Sequence, residues 1–367
     1  MNRDKTLDCL RGLAVFQVVF VHVIYWLDVI RPESLSIVKS FALFEMSVFF
    51  FVTGAVNSLK EYRSYSSFCI KRIKGLLIPY YIYALICIII SVIYYIVSGE
   101  FTVTLIFRML ISWLIPVNYQ IMPLWYFTWA LWFVPVYLIS IALFPVVQKA
   151  VQRSGRIAIA VLVLIFFAVE IIFRLTLTGF PEEGAGAYIH SFSEIIQESF
   201  FYTIFMGTGV LYSQFKQRRK TDLIMSSVIL AVSAAGLIIS SLLPGHTLDM
   251  QENKFPANHV FLFYSFAVMT LLYLAMPLIK RIYRSIVRLI PAVDRFFMTL
   301  SENSINVFLY QAFAFWLTDL ILFTFNLNNT VLEPFIAIIL AYPLVWLTIK
   351  LTGIIKSFRK RSSESRA

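Results

Sequence analysis

The sequence predicts an all-α polytopic integral membrane protein with about ten transmembrane helices. Hydrophobic residues make up 60% of the 367-residue chain and charged residues only 14%, whereas soluble domains carry roughly 25% charged residues. Apolar runs recur along the whole chain, and a helix that crosses a bilayer needs about 20 mostly apolar residues. Too few polar side chains are present to cover a water-soluble surface, so lipid is the expected solvent for most of the chain.

Ten segments have the length and apolarity of spans. They are residues 9–30, 36–58, 76–98, 124–147, 157–177, 196–213, 222–243, 258–279, 304–325 and 330–353. The apolar run 101–115 is shorter and contains Arg108, so we predict an interfacial or re-entrant helix there. Residues 1–355 are predicted to form a single transmembrane domain, followed by a disordered basic tail at residues 356–367.

The positions of Lys and Arg predict the orientation of the chain. If the N-terminus is cytoplasmic, 26 of the 31 Lys and Arg residues fall in inner segments, as the positive-inside rule expects. We therefore expect a multi-pass protein of the plasma membrane with both termini in the cytoplasm. The net charge of +11 then reflects loop orientation, so the expected partners include membrane lipid and exclude nucleic acid.

The cysteine and histidine spacings do not predict a metal site, a disulfide framework or a bound cofactor. Cys9, Cys69 and Cys87 lie in or beside apolar segments and are interpreted as small core residues. The histidines of the outer segments lie far apart in the sequence and match no metal-binding motif. They are His190, His246 and His259.

The first predicted span carries Arg11 and His22 on one helix face. Eleven residues separate them, and eleven steps of about 100° return almost to the same side, roughly 16 Å further along the axis. Arg11 would lie at the cytoplasmic mouth and His22 deep in the membrane. A charged mouth and a deep imidazole on one stripe indicate a channel that is entered from the cytoplasm, in which His22 could act as a proton acceptor. Alternatively, Arg11 belongs to the positive-inside residues and His22 only bonds a neighbouring helix.

Other ionisable residues support this site or have structural roles. Asp8 lies one turn before Arg11 and can pair with it. Glu45 either faces the same cavity or pairs with an arginine, Arg11 or Arg174. Glu170 is predicted to pair with Arg174, four residues further along the helix. The two longest outer loops, residues 178–195 and 244–257, either line an external entrance or simply connect helices.

Several motifs, in order along the chain, resemble those of the membrane-bound acyltransferase 3 family. The family hallmark is an Arg, ten residues and a His, which match Arg11 and His22 here. Gly75, Glu45 and Gln311 depart from residues usual in the family. The other matching segments are FFFVTGA (Phe49–Ala55), FCIKRIKGLLIPYY (Phe68–Tyr81), LWFVPVYL (Leu131–Leu138), FYTIFMGTGVLY (Phe201–Tyr212) and LSENSINVFLYQ (Leu300–Gln311).

The resemblance implies transfer of an acyl group, expected to be acetyl, from cytoplasmic acyl-CoA to a hydroxyl group. The acceptor would be an envelope or exported glycan, or a lipid-linked saccharide. Acyl-CoA would be a co-substrate held through its phosphates by Arg11, Arg72 and Lys74. Catalysis would rest on His22 as general base together with Arg11, with Asp8 and Glu45 in support, and a transient acyl-His remains an alternative.

A proton-coupled transporter or flippase for a glycan or small metabolite is the main alternative function. About ten spans, a membrane-embedded His and buried Glu and Arg residues suit such a carrier. Against it, the two halves of the sequence show no convincing internal repeat. A purely structural scaffold does not explain the stripe of Arg11 and His22.

Overall fold

Helices make up almost all of the computed structural model. The structure describes residues 5–26, 39–60, 62, 64–114, 127–177, 185–214, 219–243, 247–327 and 333–364. The first helices are α1 (Lys5–Trp26), α2 (Glu45–Ser58), α3 (Tyr65–Ser98) and α4 (Val103–Leu114). After a 3-10 turn at Trp129–Trp132 come α5 (Phe133–Ser154), α6 (Arg156–Leu177), α7 (Ala185–Gln214) and α8 (Arg219–Leu242). The last are α9 (Met250–Lys254), α10 (His259–Leu289), α11 (Pro291–Glu302), α12 (Ser304–Thr324) and α13 (Glu333–Glu364).

The structure confirms the all-α polytopic membrane fold. In the part of the chain that the structure describes, seven helices are long and apolar enough to cross a membrane. Each of the ten predicted spans falls on a helix, although parts of the predicted spans 9–30, 36–58, 124–147 and 330–353 lie outside the described residues. The short run 101–115 forms a helix of 12 residues, which is too short to cross a bilayer. The expected disordered tail is instead helical as far as Glu364, because α13 continues without a break.

Local capping explains where several helices begin and end. Ser64 starts α3 with a capping box shared with Ser67, and Gly99 ends it in the left-handed conformation at φ 74°. Asp249 caps α9 by accepting a hydrogen bond from the Gln251 amide at 2.8 Å. These caps satisfy backbone groups that have no partner inside the helix.

Helix α2 lies at the centre of the bundle and packs against α1, α7 and α10. Most of its side chains are buried, and its backbone touches that of α7 at two glycines. A Cβ atom on Gly54 would lie 2.0 Å from the Met206 carbonyl oxygen, and one on Gly209 would lie 2.0 Å from the Phe51 carbonyl oxygen. Small residues allow this close approach of membrane helices, and α2 carries the Phe-rich motif segment Phe49–Ala55 and the predicted site residue Glu45.

The segment 247–257, which contains α9, turns into the bundle and brings a lysine to α2. The Lys254 Nζ atom lies 2.6 Å from the Glu45 Oε1 atom, and both side chains are almost fully buried. The predicted arginine partner of Glu45 was therefore wrong, because Lys254 occupies this position. Gln197 of α7 adds a second attachment by donating to the Ala257 carbonyl at 2.7 Å. The described part of loop 244–257 is thus packed into the bundle and does more than connect two helices.

We predict that Gly54→Ala destabilises the bundle, because the new methyl group would overlap the α7 backbone. Overpacked cores typically lose about 1–3 kcal/mol. Thermal unfolding of the purified protein in detergent measures the loss. Gly75→Ala is the matched control, since nothing lies within 4 Å of a Cβ atom at that helical position. Equal unfolding temperatures of both variants would contradict the close α2–α7 contact.

We predict a larger loss for Glu45→Gln, because it leaves the Lys254 ammonium buried without its counter-charge. Breaking a buried ion pair by removing one partner costs about 3–5 kcal/mol, which would appear as a lower unfolding temperature. The double variant Glu45→Leu with Lys254→Met removes both charges and should recover most of the loss. A Glu45→Gln variant as stable as the wild type would show that the pair of Glu45 and Lys254 does not hold segment 247–257 in place.

Candidate active site along the first helix

The stripe of α1 that carries Arg11 and His22 faces the interior of the bundle. Val15 and Val18, which lie between them, are 0% and 1% exposed. Helix α12 runs alongside, with Ser304 near Arg11 and Gln311 near His22. The helical period predicted this shared face, and the packing of α12 makes it part of the core. We call the end of the bundle that carries Arg11 the Arg11 end.

Arg11 is enclosed by polar and aromatic groups. Its Nη2 atom donates a hydrogen bond to the Ser304 Oγ atom at 3.1 Å, and its Cζ atom lies 5.4 Å from the centre of the Phe49 ring. Asp8 and Arg72 are close enough to interact with its charge. The Arg11 Nε atom is buried and has no hydrogen-bond partner among the described residues. A buried, unfilled donor on a guanidinium is suited to an anionic ligand.

A cavity of about 280 Å³ opens beside Arg11. One wall is the start of α1, the second is α3, and the third is the junction of α11 and α12. Most of its lining is polar, which suits a hydrated mouth at the Arg11 end. The lining residues are Asp8, Arg11, Gly75, Pro79 and residues 301–306.

Asn57, at the end of α2, organises the basic residues next to this mouth. Its side-chain oxygen accepts a hydrogen bond from Arg72. Its backbone oxygen accepts from the Tyr62 hydroxyl at 2.5 Å and from the Lys60 amide at 3.1 Å. The Arg72 guanidinium also lies 5.9 Å from the Phe68 ring centre. Asn57 therefore holds the α2–α3 turn and Arg72 in one fixed arrangement.

Lys60 joins Arg11 and Arg72 in a cation cluster that the sequence did not reveal. Partial burial, followed by the positive charges of Arg72, Arg11 and Lys71, lowers the pKa of the Lys60 ammonium. Converging positive charges of this kind favour binding of an anion. Lys74, predicted as a further phosphate ligand, is exposed and lies about 200° around the α3 axis from Arg72, and its role stays a prediction.

His22 points into the bundle, toward α12. Its ring meets the Phe315 ring edge-on at a centroid distance of 6.2 Å, and the Gln311 side chain interacts with the imidazole. The Nδ1 atom has no accessible surface, although the residue as a whole keeps intermediate exposure. Lys254 is close enough for its charge to act on His22. The imidazole thus lies between the Arg11 end and the buried pair of Glu45 and Lys254.

The other interactions predicted from the sequence lie outside the Arg11–His22 stripe. Glu170 pairs with His259 at 2.7 Å, so the predicted pairing with Arg174 was wrong, and Arg174 is exposed. The three cysteines are free and buried, as predicted for core residues. No group of three or more possible metal ligands occurs among the described residues, and His246 lies outside them.

Comparison with known proteins identifies one family. A family model described as an acyltransferase domain, Acyl_transf_3, matches residues 4–350. No curated protein and no solved structure matches the chain. The matched range covers nearly the whole chain and contains Arg11, His22 and the helices that surround them. The chain therefore belongs to the acyltransferase 3 family of membrane acyltransferases.

Proposed function

We propose that this protein is an O-acyltransferase of the plasma membrane that transfers an acyl group from cytoplasmic acyl-CoA to a hydroxyl of an envelope or exported glycan. The observation that carries the proposal is the buried stripe of Arg11 and His22 against α12. The transferred acyl group is expected to be acetyl. The concentration of Lys and Arg at the Arg11 end supports a cytoplasmic position for that end and for both termini.

The donor would bind with its phosphates at the Arg11 end. Phosphates are too highly charged to enter the bilayer, and guanidinium groups bind them through paired, charge-assisted hydrogen bonds. Arg11 has an unused buried donor, and Arg72 and Lys60 lie close enough to share the negative charge. The uncharged pantetheine arm would then follow the α1 stripe inward and bring the thioester to His22.

His22 would act as the general base at the end of this path. It would take the proton of the acceptor hydroxyl while the hydroxyl oxygen attacks the thioester carbonyl carbon. Collapse of the tetrahedral intermediate would break the carbon–sulfur bond, and the protonated imidazole would return the proton to the leaving thiolate. Attack by His22 itself, with a transient acyl-His, is the alternative order of the same transfer.

A proton-coupled carrier is the alternative that the buried ionisable residues favour. The pair of Glu45 and Lys254 lies near His22, and such groups also occur in proton pathways. Membership of an acyltransferase family favours the enzyme. Incubation of the purified protein with labelled acetyl-CoA separates the two: thioester cleavage supports the enzyme, whereas an inert protein that catalyses proton-coupled uptake supports the carrier.

We predict that His22→Ala inserts and folds normally but loses acyl transfer, because no other group replaces the base. Removal of a general base lowers the rate by about 10²–10⁴-fold. The measurement is transfer from labelled acetyl-CoA in membranes that contain equal amounts of each variant. His190→Ala, which changes a histidine outside the proposed site, is the control and should keep wild-type activity. Near-wild-type transfer by His22→Ala would exclude the proposed mechanism.

We predict that Arg11→Ala raises the KM for acetyl-CoA by about 10- to 100-fold, the range expected when a hydrogen bond to a charged group is lost. Arg11→Lys should recover only part of the loss, because an ammonium lacks the planar fork of the guanidinium. Arg281→Ala removes an exposed cation of α10 and is the control. An unchanged KM and rate in Arg11→Ala would remove Arg11 from the donor site.

A further inference from the structure

A second and larger cavity lies at the Arg11 end, between the start of α3 and the end of α5. Its volume is about 680 Å³, within the usual range of small-molecule sites. It is separate from the cavity beside Arg11, and no residue lines both. We call it the α3–α5 groove. The lining residues used below are Tyr62, Tyr65, Phe68, Lys149 and Arg153.

The two walls of the α3–α5 groove differ in chemistry. The α3 side is aromatic: Phe68 is buried and its ring lies 4.3 Å from the Tyr62 ring, centre to centre. The α5 side is basic, because Lys149 and Arg153 are four residues apart and so lie on one face of the helix. Both cations are exposed to solvent. The exposed ring of Tyr65 opposite two cations suits a heteroaromatic base that carries a phosphate.

The wall of the groove also contacts the cation cluster beside Arg11. Tyr62 lines the groove and also donates its hydroxyl hydrogen to Asn57, which accepts from Arg72. Phe68 lines the groove and lies beneath the Arg72 guanidinium. Arg72 and Lys60 therefore lie between the groove and Arg11, and the α1 stripe leads from Arg11 to His22.

Acyl-CoA has its chemical groups in the same order. The adenine and its 3′-phosphate are at one end, the diphosphate follows, and the thin arm ends in the thioester. We propose that the α3–α5 groove binds the adenosine 3′-phosphate of the acyl-CoA donor, with Lys149 and Arg153 on the 3′-phosphate and Tyr65 against the adenine. This inference rests on the proposed function, since it assumes a CoA thioester as donor.

The test compares binding of CoA with binding of 3′-dephospho-CoA, which lacks only the phosphate assigned to the groove. The full-length protein is reconstituted in phosphatidylcholine nanodiscs, and affinities are measured by titration calorimetry, so no acceptor is needed. We expect the wild type to bind CoA about 10- to 100-fold more tightly than 3′-dephospho-CoA. The double variant Lys149→Ala with Arg153→Ala should bind both with the weaker affinity.

Two further variants separate the parts of the proposal. Arg281→Ala with Arg284→Ala also removes two exposed positive charges at the Arg11 end, and it should keep the preference for CoA. Tyr65→Leu should weaken both ligands by a similar factor and leave their ratio unchanged, because the adenine contact is common to both. A double variant of Lys149 and Arg153 that kept the full preference would overturn the groove assignment.

The outcomes also distinguish this inference from the proposed function. A wild type that binds neither CoA nor 3′-dephospho-CoA would contradict both the proposed CoA donor and the groove assignment. A wild type that binds CoA and 3′-dephospho-CoA with equal affinity would contradict the groove assignment alone. If the Lys149 and Arg153 variant kept the CoA preference but lost co-purifying phosphatidylglycerol, the groove would be a lipid headgroup site and the inference would be wrong.

Discussion

Charged groups inside an apolar bundle need protein partners, since lipid offers no water to solvate them. This constraint acts on two cations of the protein. Arg11 is held by Ser304 and by the face of Phe49, and Lys254 is held by Glu45. Because each partner lies on another helix, the two cations connect α1 to α12 and segment 247–257 to α2. His22 lies between these two attachments.

The two ends of the bundle differ in how their cations are paired. At the Arg11 end, the charges of Lys60, Arg72 and Arg11 act on one another, and one buried donor of Arg11 has no partner among the described residues. This arrangement favours a phosphate-bearing ligand. On the other side of His22, Lys254 is already paired with a carboxylate. Under the proposed function, a charged donor would approach from the Arg11 end and the acceptor hydroxyl from the other side.

Helix α2 contributes residues to both ends of the bundle. Its contact with α7 through Gly54 and Gly209 brings the two backbones together. This contact places Glu45 near Lys254 at one end of the helix and Asn57 near Arg72 at the other. Helix α2 thus contributes Glu45 to the buried ion pair and Asn57 to the cation cluster. Phe49, which lies between Glu45 and Asn57 on α2, packs against the Arg11 guanidinium.

The sequence by itself determined the membrane fold, the helical segments and the shared face of Arg11 and His22. These depend on apolar length and on the period of a single helix, which are local properties. Only the tertiary structure decided which charges pair. Lys254 reaches Glu45 across 209 positions of the chain, and Glu170 takes His259 in preference to Arg174 on its own helix. Lys60 and the α3–α5 groove likewise depend on how distant helices dock, and a helical period contains no information on docking.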